Sequence, residues 1–315
     1  MIQLSRTQIE ALVTVDSEMA EAVRDAYRAI SDGRANLPPV GHLGFPAAHG
    51  DCHIKFGHIA GDEVFAVKIA SGFYDNPAKG LPSSTGVVLV FSALTGQMHA
   101  LLADEGYLTD LRTGLGGAVA SLALCRPDAR RFLIVGSGTQ GYWLARSLRH
   151  LAPAADIAIW GRNPDRAAAL VARLEGVTIA PDLETACRGA DVIVTATPAN
   201  APLVRADWVR PGCHITAIGA DSPGKQELET TLVGRAQLRV ADSLSQSLDH
   251  GEFAHARAAG LIGPGDCAEL GAILSGRAAG RRSPDDITIA DLTGVATQDI
   301  AMARSVLSRA KGTAQ

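Results

Sequence analysis

A chain of 315 residues has room for one large or two ordinary domains, and 47% hydrophobic with 20% charged residues is ample material for a globular core. A formal net charge of -4 with no block of Lys or Arg excludes a basic nucleic-acid binder, and no apolar run is long enough to cross a membrane. Aromatics at 4% leave the packing to Ala, Val, Leu and Ile, which suits the buried parallel strands of an α/β protein.

Residues 1 to 35 read as a short strand and then a helix. Asp16 is placed to cap that helix, and Met19, Val23, Ala26 and Ile30 follow at helical spacing. The mixed polarity of Met1 to Arg24 speaks against a signal peptide. Between Asn36 and Ala103 come turn residues (Pro38, Pro39, Gly41, Gly44) and β-type runs: His53 to Ile59, Val64 to Ser71, Gly86 to Phe91 and Met98 to Ala103. Leu94-Thr95-Gly96 reads as a hairpin turn, and a Gly- and Ala-rich helix is expected from Thr109 to Cys125.

From Arg131 strands and helices alternate. Phe132 to Val135, Ile157 to Trp160, Val192 to Thr195, His214 to Ile218, Leu238 to Ala241 and Ile287 to Ile289 read as strands. Thr139 to His150 and Pro164 to Leu174 read as helices, and a last helix runs from Ala296 to Ala310. The fold class expected is α/β: a Rossmann-type doubly wound parallel sheet with a smaller α+β domain.

The turn Gly136-Ser137-Gly138-Thr139-Gln140-Gly141 directly follows the apolar strand and opens a helix. In that context the first Gly permits the tight turn, the second lets backbone approach a pyrophosphate, and the third lets helix and strand pack closely. A nicotinamide dinucleotide is the ligand expected, with Gly136, Gly138, Thr139, Gln140 and Gly141 as contacts. An acid ending the second strand would select NAD. About 20 residues after Gly141 the chain instead has Arg162 and Asn163, which suit a 2′-phosphate, so NADP(H) is expected over NAD(H). Thr195, Ala196, Thr197, Ile218 and Gly219 end two further strands, where the ligand crevice of such sheets lies.

Lys68 interrupts an apolar strand. A strand Lys is ordinarily solvated; a buried one has a depressed pKa and suits a carboxylate anchor or a proton carrier. Arg112, near a helix start, suits a bidentate carboxylate clamp, or an ion pair with Asp110 or Asp104. His250, Glu252 and His255 lack metal-ligand spacing, and no metal site is expected. Five scattered cysteines, Cys52, Cys125, Cys187, Cys213 and Cys267, read as reduced thiols of a cytoplasmic enzyme.

Several segments in this order resemble the ornithine cyclodeaminase/μ-crystallin family over nearly the whole chain. They are Val67-Lys68-Ile69, Asn76 to Ser83, Thr95-Gly96, Leu108 to Thr113, the glycine turn, and Gly219 to Leu228. The resemblance implies that Lys68 and Arg112 meet the substrate carboxylate, that Asp221 engages the amino nitrogen, and that Ser83 lies near substrate and nicotinamide. It implies cofactor contacts from Thr113 and from Thr293 and Val295. It also implies a substrate and dimerisation domain of residues 1–112 plus 296–315, a dinucleotide domain of residues 113–295, and a homodimer.

Two departures put ornithine in doubt as substrate. An Arg common after the Pro-rich turn is missing, with His42 as its replacement. A Met-Pro pair is replaced by His53-Ile54-Lys55, which makes Lys55 a substrate contact or a solvated strand lysine. Gly72 to Pro77 most resembles the branch of ectoine-utilisation and iminosuccinate-reductase enzymes. The function expected is NAD(P)H-dependent reduction of an α-imino acid to the L-amino acid. A diamino-acid cyclodeaminase with recycled NAD and a non-catalytic nucleotide-binding protein are the alternatives. The partners expected are a small amino or imino acid and a second copy of the chain, with no nucleic acid and no membrane.

Overall fold

The computed structural model describes residues 1–312. The chain divides into two compact units. The first comprises Met1–Thr14, Glu21–Arg112 and the segment from Ala296 onward; the second comprises Val15–Ala20 and Thr113–Val295.

The first unit is built on a seven-stranded sheet. Its strands are β1 (Ile2–Ser5), β2 (Ala35–Asn36), β3 (Gly41–Phe45), β4 (Gly50–Ile59), β5 (Val64–Phe73), β6 (Ser84–Ser92) and β7 (Met98–Ala103). The order is β1-β7-β6-β5-β4-β2, with β3 also paired to β4; only β1 joins its neighbour in parallel. Side chains alternate across each strand. Val64, Ala66, Lys68, Val88, Val90, Ala100 and Leu102 therefore share one face, and all are buried. The C-terminal helix, Ala296–Gly312, covers β4 and β5 on the first unit.

Helices α1 (Arg6–Leu12), α2 (Ser17–Ser31) and α3 (Tyr107–Leu124) complete the N-terminal third. Asp16 caps α2, its Oδ1 accepting the Met19 amide at 2.7 Å. Helix α3 begins at Tyr107 rather than at Thr109, because the Asp104 carboxylate accepts the Leu108 amide at 2.9 Å and so caps the helix earlier. Strand β3 was not legible as a strand. It is short, with two glycines and no burial on either face, and it exists through its pairing with β4, which it also extends back to Gly50.

The second unit carries an eight-stranded parallel sheet. Its strands are β8 (Arg131–Val135), β9 (Asp156–Trp160), β10 (Val177–Ile179), β11 (Val192–Thr195), β13 (His214–Ala217), β15 (Leu238–Ala241), β16 (Cys267–Glu269) and β17 (Thr288–Asp291). Strands β12 (Asn200–Val204) and β14 (Gln226–Leu228) form a separate parallel pair. The order β10-β9-β8-β11-β13-β17-β15-β16 reverses direction between β8 and β11, which is the topological switch point of a doubly wound sheet. The crossovers use α4 (Thr139–Leu151), α5 (Pro164–Val171), α6 (Leu183–Gly189), α7 (Thr230–Arg235), α8 (Leu244–His250), α9 (Glu252–Ala258) and α10 (Leu270–Leu274). The core is aliphatic: Leu133, Val135, Ile193, Ile215, Leu232 and Ile289 are all buried. Helix α5 stops at Val171, short of the expected Leu174, in a turn where the Arg173 amide bonds back only three residues to the Leu170 carbonyl.

Candidate functional site

Lys68 lies in β5 with its ammonium inside the first unit. Its Nζ stands 2.9 Å from both carboxylate oxygens of Asp299 on the C-terminal helix, and it donates to Thr109 Oγ1 at 3.3 Å. Arg112, also buried, donates from Nε to Asp299 Oδ1 and from Nη1 to Gln298 Oε1, each at 3.3 Å. The ion pair that was the alternative to a carboxylate clamp for Arg112 is made with Asp299 rather than with Asp110 or Asp104. Burial lowers the Lys68 pKa to about 8 against the opposing pull of Asp299, while Arg112 and Lys55 depress it further. Burial alone would raise the Asp299 carboxyl, but Lys68 and then Arg112 outweigh it and hold the pKa below its usual value. On α3, burial raises Asp110 to about 6, with Arg112 opposing.

The same sheet face continues past Lys68. Lys55 of β4 is the direct partner of Lys68, His53 is the partner of Ala70, and Asp51 is the partner of Gly72. From β3, His42 pairs with His53, their rings 4.9 Å apart. Asp51 Oδ1 is 3.5 Å from His53 Nε2, and the Tyr74 hydroxyl donates to Asp51 Oδ2 at 3.0 Å. His42, Asp51 and His53 bring three candidate metal-ligand atoms within 4.8 Å of one another, a grouping the sequence did not suggest. Ser83 is exposed beside Ser84, where its carbonyl accepts the Phe73 amide at 2.8 Å.

In the second unit the glycine turn sits at the switch point. Gly136 has φ 138°, and a Cβ there would meet the Ala196 carbonyl oxygen at 2.5 Å, so the position admits only glycine. Gly141 leaves no room for a Cβ against the Gly136 carbonyl. Gly138, the N-cap of α4, has nothing within 4 Å of where a Cβ would stand. The turn is thus closed on the sheet side and open where backbone amides and the N-terminus of a 13-residue helix face outward, which fits a pyrophosphate. Thr139 and Gln140 open that helix. Thr113 precedes Gly114, which packs against the backbone of Trp143 on α4.

Arg162 follows β9 and is exposed; among the described residues no ion pair engages it. Asn163, expected to help hold a 2′-phosphate, has its Oδ1 committed to capping α5, accepting the Arg166 amide at 3.0 Å.

The segment Thr195-Ala196-Thr197, where backbone is expected to approach the cofactor, is held from behind: the hydroxyls of Thr195 and Thr197 both donate to the buried Glu227, at 2.7 and 2.8 Å. Glu227 also accepts the Thr197 amide at 2.6 Å and the Gly219 amide at 2.8 Å. One carboxylate therefore ties together the segments that follow β11 and β13, including Ala196 and Ile218. Asp242 does the same after β17, accepting the Thr293 amide and hydroxyl at 3.2 Å each and the Gly294 amide at 2.7 Å; Val295 beyond is fully buried. Glu252 accepts the Glu227 and Leu228 amides, and burial raises its pKa well above the usual range. Burial likewise pushes Asp291 up to about 8.

Asp221 is exposed and paired with Lys225 at 2.6 Å, so any amine it engages competes with that lysine. His255 bonds to the Lys225 carbonyl, and Glu252 is spent on backbone amides, so these two residues serve the fold.

Residues 1–314 match the profile of the ornithine cyclodeaminase/mu-crystallin family. The chain belongs to this family. It is 39% identical over 313 residues to a putative dehydrogenase of Rhizobium meliloti (98% of this chain, 95% of the relative). It is 40% identical over 316 residues to an uncharacterised cyclodeaminase of Sinorhizobium fredii, at the same coverage. Among solved structures it is similar to an archaeal alanine dehydrogenase dimer with bound NAD (TM-score 0.92, 34% identity, 100% and 97% of the two chains). It is similar to the Thermococcus litoralis Δ1-pyrroline-2-carboxylate reductase in complex with NADH and L-proline (0.91, 27%, 100% and 98%). It is also similar to the Paracoccus denitrificans iminosuccinate reductase in complex with NAD+ (0.91, 31%, 100% and 97%).

For this family member, sequence reasoning passed over Asp299, Asp242 and Asp291, and quoted Glu227 only inside a matching segment. The one signal in the sequence for Asp299 was that it is the single acid of the expected helix from Ala296 to Ala310; the structure buries the run from Ala296 to Ala303, where a charge demands a partner.

Proposed function

We propose that the protein reduces an α-imino acid to the corresponding amino acid with a nicotinamide dinucleotide. The observation that carries this reading is the buried trio in the first unit. Two cations, Lys68 and Arg112, share the single carboxylate of Asp299, an arrangement that a substrate carboxylate would complete. The glycine turn of the second unit supplies the dinucleotide site. The reductases and dehydrogenases among the structural neighbours, holding NAD+, NADH or NAD, support the same class of chemistry.

When bound, the reduced nicotinamide supplies the hydride. An α-imino acid accepts it at Cα, and the imine nitrogen carries one added proton. Lys68 and Arg112 fix the carboxylate and so orient Cα. The position after β9 carries Arg162 and no acid, which favours NADP(H). The neighbours speak for the dinucleotide class, not for its phosphate.

The reverse face of the first unit's sheet exposes Leu43, Phe45 and Phe56 and carries the stacked pairs Phe45–Phe73 and Phe65–Phe91. A patch of this kind on a chain similar to a dimeric alanine dehydrogenase supports a homodimer through this face.

The test is a panel of 2-oxo acids with ammonium, and Δ1-pyrroline-2-carboxylate, assayed with NADPH and NADH. Stoichiometric cofactor oxidation supports the reductase. The name of the Sinorhizobium fredii relative favours a second reading, a diamino-acid cyclodeaminase. Ammonia and a cyclic amino acid from a diamino acid, with no net change in cofactor, would establish that reading instead.

A further inference from the structure

We propose that His42, Asp51 and His53 form a binding site for a divalent transition-metal ion of the Zn2+ class, which clamps strand β3 to β4. The proposal is independent of the imino-acid reading.

The donor set follows from register. His42 and His53 are direct partners in the β3–β4 ladder, and Asp51 stands two residues before His53 on β4. All three side chains therefore leave the sheet on one face. Residues directly opposed in an antiparallel pair hold their Cβ atoms about 4.5–5.5 Å apart, a span that lets two imidazoles reach one ion. The two rings are 4.9 Å apart, His53 Nε2 is 3.5 Å from Asp51 Oδ1, and one donor atom from each residue lies within 4.8 Å of the other two. Tetrahedral Zn2+ with ligands at about 2.0–2.2 Å needs donors about 3.4 Å apart. The edge between His53 and Asp51 already has that spacing, and a turn of the exposed His42 ring closes the rest.

The neighbouring positions leave the space. The direct partners of Asp51 in its two ladders are Gly44 on β3 and Gly72 on β5. Neither has a positive φ, so backbone conformation does not demand glycine at either. Glycine inside a strand weakens it and marks a close approach. A Cβ at Gly72 would meet Asp51 Oδ1 at 3.2 Å and the Tyr74 hydroxyl oxygen at 3.4 Å; one at Gly44 would meet the His42 ring at 3.8 Å. The His42 ring thus leans along β3 towards the acid. The Tyr74 hydroxyl donates to Asp51 Oδ2 at 3.0 Å and holds the carboxylate with Oδ1 towards His53, as groups that orient a metal-ligating carboxylate do. Lys55 lies on the far side of His53 from Asp51, so the acid end of the trio is the end away from that charge.

Two imidazoles and one carboxylate suit Zn2+, Co2+ or Ni2+, whereas Mg2+ and Ca2+ take oxygen ligands. Three protein ligands leave a fourth position to water. The ion has a physical task here. Strand β3 buries no side chain and joins the sheet through β4 alone, so a bridge from His42 to His53 and Asp51 supplies the attachment that packing does not.

The experiment is equilibrium dialysis of the untagged, EDTA-stripped protein against Zn2+, with the bound metal counted by mass spectrometry. Thermal melts and amide hydrogen exchange are run with and without the ion. The expected result is one Zn2+ per chain, undisturbed by excess Mg2+. His42→Ala, Asp51→Asn and His53→Ala should each weaken binding by more than about tenfold, and Tyr74→Phe by about tenfold. His99→Ala, which removes an exposed histidine of β7, should leave it unchanged. Zn2+ should raise the wild-type melting temperature and slow amide exchange over residues 41–45, and do neither in His42→Ala. Metal-free melts of the variants confirm that they are folded. Absence of saturable binding, or binding that persists undiminished in His42→Ala and Asp51→Asn, would overturn the proposal. So would equal competition by Mg2+, which would mean a site built of oxygen ligands, or one Zn2+ per two chains, which would put the ion between copies.

Discussion

Lys68 and Asp299 are 231 positions apart in the chain, yet the ammonium and the carboxylate meet at 2.9 Å with both side chains buried. The pair joins the middle of the sheet to the C-terminal helix, and Arg112 shares the same carboxylate. Asp299→Asn would leave two buried cations without their counter-charge. A loss of about 3–5 kcal/mol in stability is expected, read as a lower urea midpoint at unchanged slope. An unaltered midpoint would mean that the pair contributes nothing to folding.

The pH dependence follows from Lys68. Its pKa lies near 8, below the ordinary lysine value, because burial outweighs the attraction of Asp299. The charged form, which binds a carboxylate, is therefore full below about pH 8 and empties above it. The expected profile of kcat/KM is flat up to that point and then falls about tenfold per pH unit. Lys68→Arg keeps the charge and should move the fall to higher pH. A wild-type profile level to pH 10 would exclude Lys68 as the carboxylate anchor.

Glu227 makes a third case. One of its oxygens accepts the Thr197 amide and hydroxyl, and the other accepts the Thr195 hydroxyl and the Gly219 amide. In Glu227→Gln, whichever way the amide turns, its NH2 faces a backbone donor. A cost of about 1–3 kcal/mol is expected, together with weaker dinucleotide binding as the segments after β11 and β13 loosen. Calorimetric unfolding and a titration of NADH fluorescence read the two effects separately; dinucleotide affinity equal to wild type would confine Glu227 to folding.

Arg162→Ala should weaken NADPH by about 10–100-fold and leave NADH nearly unchanged, as expected for a charged hydrogen bond to the 2′-phosphate worth about 1.5–3 kcal/mol. Equal losses for both cofactors, measured as dissociation constants, would remove Arg162 from that role. Asn163→Ala should instead cost stability of about 1 kcal/mol through the lost cap of α5.

Much of the architecture was legible because its signals are local. The strand Phe132 to Val135, the glycine turn and the helix after it are adjacent in sequence, so steric needs at Gly136 and Gly141 are written in consecutive residues. The alternation of apolar strands with amphipathic helices then specified a doubly wound sheet. The short pieces escaped: helices α6 to α10 hold five to seven residues each, too few for a period of 3.6 to declare itself, and β3 has no buried face.

The amino-acid sequence by itself determined the fold class, the family and the identity of the chemically able side chains, because these depend on neighbouring residues and on the order of segments. Tertiary structure alone decided which charges share a space. That Lys68 and Arg112 converge on Asp299, that Glu227 claims Thr195 and Thr197, and that Lys55 leaves the sheet on the same face as Lys68 are facts of register and helix placement. Electrostatic and hydrogen-bond energies depend on distances in space, and a linear sequence does not record the distances between residues far apart in it.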